Sequence, residues 1–158
     1  MKFQATLGTL VYVISISCFI IFAAISYVMF NRPEVSMAYK TFVVVFIWLV
    51  FVFCYLYHPA SYSINATNVY VHRPVSKLTI PRNEILEFRL VSDEDMKWTI
   101  RTFGVGGLFG YFGKFTNTVL GGMTWYATQR RNYVLLVLAG KRIILTPDKP
   151  EEFIAMLK

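Results

Sequence analysis

Two uncharged apolar runs, Leu7 to Phe30 and Thr41 to Tyr57, limit what this chain can fold into. At about 1.5 Å of rise per residue the first forms a helix of roughly 36 Å, enough to cross a hydrocarbon core of about 30 Å. The second is near the short limit until residues 37 to 40 extend it by a turn, with the Lys40 ammonium snorkelling to the interface. Tyr55 and Tyr57 at its exit suit interfacial anchors. Between the runs, Asn31 to Lys40 (NRPEVSMAYK) carries the proline and charges that belong in water. Residues 1–60 are therefore expected to form a transmembrane helical hairpin, with spans at about 7–30 and 38–57. Ala24-Ile25-Ser26 could pass for a signal-peptidase site. Only Lys2 precedes it as a basic residue and the apolar run continues past it, so cleavage is not expected.

A hairpin places both of its ends on one side of the bilayer. Lys2, Arg73 and Lys77 would share that side, against Arg32 and Lys40 in the connection. The count leans toward a C-terminal domain on the cytoplasmic face of the inner (cytoplasmic) membrane. The chain is 56% hydrophobic with a net charge of +7, and the apolar excess lies in its first sixty residues. From Ser61 onward 13 Lys/Arg stand against 8 Asp/Glu. So mild a positive balance suits an anionic lipid headgroup, a phosphate or an acidic protein face. It lacks the dense basic stripe of a nucleic-acid binder.

Beyond Ser61 the pattern changes to alternation, in Leu86–Leu90, Met96–Arg101 and, more loosely, Met123–Thr128. Period-two alternation marks strands with one buried and one wet face. Turn residues separate the runs at Thr67-Asn68, Arg73-Pro74, Gln129–Asn132 and Ala139-Gly140-Lys141. About seven short strands in sequential hairpins, a small antiparallel β-barrel or sandwich, fit residues 61–158. Asp148 followed by Pro150 and Glu151 suggests a helix start with Asp148 as N-cap. Phe153, Ile154 and Leu157 then repeat at helical spacing, placing a helix over 149–158 that closes one end of the β domain.

Three segments together resemble a known family: RTFGVGGLFGYFGKF (101–115), WYAT (125–128) and LTPDKPEEFIAML (145–157). They are similar to bacterial PH-like (pleckstrin-homology-like) domains, with Thr146-Pro147 where that family shows Ser-Pro. The resemblance covers roughly residues 60–158. It implies an α+β membrane protein in which a hairpin of helices precedes a PH-like β domain with a C-terminal helix. It implies no particular reaction.

No chemical motif emerges from the residues. Of nine glycines, all but Gly8 and Gly140 lie between Gly104 and Gly122. Yet Gly113-Lys114 is followed by Phe115 instead of a hydroxyl residue, and Phe109 stands where the third glycine of a dinucleotide loop belongs. Cys18 and Cys54 lie in the apolar runs without a partner at metal-ligand spacing. His58 and His72 have no recognisable nucleophile and acid, and Asp93-Glu94-Asp95 lacks the spacing of a calcium loop. The expectation is a protein that is not an enzyme and carries no metal or cofactor.

Basic residues offer the better lead. In a run of simple hairpins, the glycine stretch and the Ala139–Lys141 turn would share one end of the domain. Lys114, Lys141 and Arg142 would then meet near Phe109, Tyr111 and Phe112, with Arg130 and Arg131 at the other end. Such a cluster could hold an anionic headgroup or a protein; alternatively the rings fill the barrel mouth and the lysines are merely solvated. The expected role is a membrane-anchored module that binds or recruits a protein or an anionic lipid. The alternative is a structural subunit assembled through the hairpin.

Overall fold

In the computed structural model, which describes residues 1–158, the chain begins with a strand. Lys2–Gln4 (β1) precedes the first helix, Thr9–Phe30 (α1), and the second, Met37–Tyr57 (α2). Both helices are long and apolar enough to cross a membrane, with mean hydropathy of 2.4 and 2.2 over their most apolar windows. The Ser36 hydroxyl caps α2 by accepting from the Tyr39 N–H, while α1 starts at Gly8 with no side-chain cap. The helices meet through an aromatic seam of Phe19, Phe22, Trp48 and Phe51. Within it the Trp48 indole N–H donates to the Ser26 hydroxyl at 3.1 Å.

The rest forms two sheets. Ser61–Ile64 (β2), Asn68–His72 (β3) and Lys77–Pro81 (β4) join β1 in a four-stranded antiparallel sheet. Ile85–Val91 (β5), Ile100–Gly106 (β6), Tyr111–Asn117 (β7), Gly121–Ala127 (β8), Tyr133–Leu138 (β9) and Lys141–Leu145 (β10) make the second, ordered β5-β9-β10-β8-β7-β6. Sequential hairpins are therefore not the topology. After β8 the chain passes beyond the position of β10 and returns, so β8 and β10 run parallel. The sheets do not close into a barrel: β5 and β6 end the larger sheet without joining, and β1 and β4 end the smaller.

One core lies between the sheets. Tyr62, Ile64, Val69, Val71 and Ile80 of the small sheet pack with Val134, Leu136, Ile143 and Leu145 of the large one. The C-terminal helix, Pro150–Ala155 (α3), adds Phe153, and Leu157 follows it into the same core. The Tyr62 hydroxyl donates to the Tyr126 carbonyl at 2.6 Å and accepts from the Thr146 N–H; burial pushes its pKa up to about 12 against the lowering effect of Thr146. A second core on the opposite face of the large sheet joins Tyr111, Phe115, Trp125, Leu135 and Ile144 to Met96 and to Val11 of α1.

β1 is the element that the sequence pattern hid. Phe3 is 4% exposed and stands edge-to-face with Phe153, ring centroids 5.1 Å apart. Asp148, expected as the α3 cap, instead accepts from the Thr6 N–H at 3.1 Å and from the Thr6 hydroxyl. The cap position falls to Lys149, with no side-chain bond. Residues before the first helix thus complete the domain that follows the second.

Candidate functional site

The glycine-aromatic stretch is a hairpin of two paired strands, β6 and β7, and not a loop. Gly104 and Gly113 face each other in it with φ of 106° and 127°. A Cβ on Gly113 would lie 2.8 Å from the Gly104 Cα, so only glycine lets the strands approach and bend there. The tip, Gly107–Gly110, closes with the Gly107 N–H on the Gly110 carbonyl at 2.8 Å.

That tip wedges between the apolar helices. The Phe109 ring stands edge-on to Phe51 at 4.9 Å and to Tyr55 at 5.3 Å, and its N–H donates to the Ser15 hydroxyl at 3.0 Å. Gly107 lies so close to α1 that a Cβ would come 2.6 Å from the Ile14 Cδ1. The turn between β8 and β9 reaches the same end, where the Gly8 N–H donates to the Thr128 carbonyl at 2.9 Å.

The six expected site residues consequently do not gather. Because the hairpin reverses the chain, Phe109 lies with the Arg130 turn, at the opposite end of the sheet from Lys141. Tyr111 is 5% exposed, turned into the second core against Trp125, and burial raises its pKa against the opposing pull of Arg130. Phe112 is half-buried beside Tyr126, its partner on β8.

Lys114, Lys141 and Arg142 do come together. With Thr102, Thr116 and Thr124 they line an open groove of about 440 Å³ that no carboxylate enters. The Lys114 ammonium donates to the Thr124 hydroxyl at 3.1 Å and the Arg142 guanidinium to the Leu120 carbonyl at 2.8 Å. None of the three basic groups is in an ion pair.

Beside the groove runs β6, one of the two edge strands of the large sheet. Alternation predicts a strand with Met96 and Trp98 on one face. Residues 93–98 instead form turns, with Met96 buried and Trp98 88% exposed at φ 57°. Ile100 and Phe103 on β6 are also exposed. The missed signal is the acidic Asp93-Glu94-Asp95, which favours a turn over a strand immediately before this run.

Elsewhere the chemistry is sparse. The His72 Nε2 and the Ser63 hydroxyl pair across β2 and β3 at 2.7 Å, with no carboxylate to orient the ring. Burial, then Lys2 and Lys77, lowers the His72 pKa. No three His, Cys, Asp or Glu side chains converge as a metal-binding group.

A family model described as the bacterial PH domain matches residues 60–158. No curated protein and no solved structure matches the chain. The matched span runs from β2 through α3 and leaves β1, α1 and α2 outside it. With more than half its length so matched, the chain belongs to the bacterial PH domain family.

Proposed function

We propose that this protein is a membrane-anchored, non-catalytic docking module whose PH-like domain receives an acidic, extended protein segment. The carrying observation is the acid-free groove of Lys114, Lys141 and Arg142 beside a free sheet edge that exposes Trp98, Ile100 and Phe103. An added strand would satisfy the open N–H and C=O groups of β6. Aromatic side chains supply anchors, and the lysines set the charge of the partner.

The exposed apolar surface of the two helices supports the anchoring part of this reading. Only 6% and 11% of the apolar windows of α1 and α2 are buried, unlike core helices of a soluble protein. Lipid is the medium that suits such surfaces. Pairing of β1 with β2 requires both ends of the hairpin on one side, together with Arg130 and Arg131 near the helix bases. Against Arg32 and Lys40 in the connection, that excess favours a cytoplasmic domain. The groove then stands about five strand residues, roughly 17 Å, beyond the membrane-proximal turn, out of reach of most headgroups.

The test places a photo-reactive residue at Ile100 in native membranes and compares the adducts with those of a Lys114→Glu, Lys141→Glu, Arg142→Glu variant. Losing three exposed charge contacts of about 0.5 kcal/mol each lowers adduct yield about tenfold. An adduct pattern indifferent to the reversal refutes the reading. Assembly through the hairpin is the second reading, favoured by a wholly apolar depression on α2 lined by Phe46, Leu49, Val50, Val52, Phe53 and Leu56. A monomer in mild detergent and in native extracts would remove it.

A further inference from the structure

At the opposite end of the domain lies a smaller pocket of about 190 Å³, lined by Gly8, Thr9, Leu10 and Val11 of the α1 start, by Tyr111, and by Gln129, Arg130 and Arg131. Three independent features of it call for an anion. First, α1 opens with no side-chain cap and no acidic residue in its first turn. The first backbone bond of the helix is the Tyr12 N–H to the Gly8 carbonyl, which leaves the N–H groups of Thr9, Leu10 and Val11 without an acceptor. A helix of 22 residues concentrates a positive partial charge at that end.

Second, the Tyr111 hydroxyl is buried and has no hydrogen-bond partner, although the residue is only 5% exposed. An orphaned hydroxyl in a folded protein is uncommon and costs stability unless something absent from the chain itself accepts from it. Third, neither arginine is in an ion pair. The Arg130 guanidinium lies over the Tyr111 ring at 5.9 Å, and the Arg131 Nε donates to the Gln129 Oε1 at 2.9 Å, which orients its remaining N–H groups. No carboxylate lines the pocket.

We propose that this pocket binds a phosphate group, with the first-turn amides of α1, the Tyr111 hydroxyl and the guanidinium groups of Arg130 and Arg131 as its donors. Helix-start amides and arginine forks are the donor set that phosphate oxygens take. The site is separate from the Lys114 groove and owes half its lining to the apolar helix outside the family match. Its place at the base of α1 puts it at headgroup level when the helices lie in a bilayer. Only the source of the phosphate, a phospholipid or the free anion, rests on that membrane reading.

Full-length protein in an uncharged detergent and phosphate-free buffer separates these sources by calorimetry. One arm titrates inorganic phosphate, the other a short-chain phosphatidylglycerol below its micelle concentration. Saturable binding in either arm is expected, and the arm that binds more tightly names the source. Arg130→Gln with Arg131→Gln should weaken binding about 100-fold, as loss of charge-assisted bonds does. Tyr111→Phe should weaken it about fivefold or more, while the melting temperature without ligand stays the same or rises because an orphaned hydroxyl is gone. A purely structural tyrosine would show no such opposition of signs. Binding in neither arm, or binding that both variants leave unchanged, overturns the proposal. So does binding that the Lys114, Lys141, Arg142 reversal abolishes, since the ligand would then sit in the groove; a lost photo-adduct with intact phosphate binding separates the two sites.

Discussion

Phe3→Ala is expected to destabilise the protein by about 3–5 kcal/mol, although Phe3 lies outside the matched domain and before the first apolar helix. Its ring is buried against Phe153 and shares a core with Tyr62, Ile64 and Leu145. Truncation leaves a cavity between the sheets that α3 cannot collapse into without losing its own packing. Denaturant unfolding of the full chain in detergent, followed by tryptophan fluorescence, measures the loss. A cost below about 1 kcal/mol would show that β1 merely rests on the domain. The same geometry predicts that residues 60–158 alone are poorly soluble and that fusing residues 1–6 ahead of them restores folding.

Gly113→Ala is expected to cost about 2–5 kcal/mol, combining a strained positive φ with a collision against the facing strand. The added methyl would meet the Phe103 carbonyl oxygen and the Gly104 Cα at once, both of them backbone that cannot move aside. Opening of the hairpin would also withdraw Phe109 from Phe51 and Tyr55 and loosen the hold of the domain on the helices. Hydrogen exchange should therefore rise over residues 100–117 before it rises in β9 or β10. Gly122→Ala serves as the control, because a Cβ there meets nothing within 4 Å. Equal stability of the two variants would contradict the account of why glycine is needed at Gly113.

The sequence was legible where one physical effect dominates. Long uncharged runs specify α1 and α2 to within a few residues, because a stretch of more than about fifteen apolar residues without a charge fits a long helix and no short strand. β9 appears where expected, at Tyr133–Leu138, because the Gln129–Asn132 and Ala139–Lys141 turns bound it. Legibility ended where placement depends on partners distant in sequence. Lys2-Phe3-Gln4 is too short to show a period, and only the exposed edge of β2 makes a strand of it. Alternation over 96–101 predicts a strand, yet residues 93–98 turn and Met96 is buried in the second core. The candidate site split for a similar reason. Sequential hairpins would put the glycine stretch at the same end of the domain as the Ala139–Lys141 turn, whereas Gly104 and Gly113 are a matched pair inside a hairpin. That hairpin carries Phe109 and Tyr111 away from Lys141 and Arg142. The Arg130 pocket was unreadable because half of it belongs to the start of α1, more than a hundred residues earlier.

The central claim is that chain on both sides of the apolar hairpin builds one domain, fixed to the helix bases. Lys2 and Ser63 are facing partners on β1 and β2, so cysteines there can bridge only if these strands pair. With Cys18 and Cys54 replaced, Lys2→Cys and Ser63→Cys should form an intramolecular disulfide in native membranes under mild oxidation. Nearly all chains should then resist a thiol-reactive mass tag until reduced. If both cysteines stay open to the tag, or link one chain to another, the domain is not assembled as described.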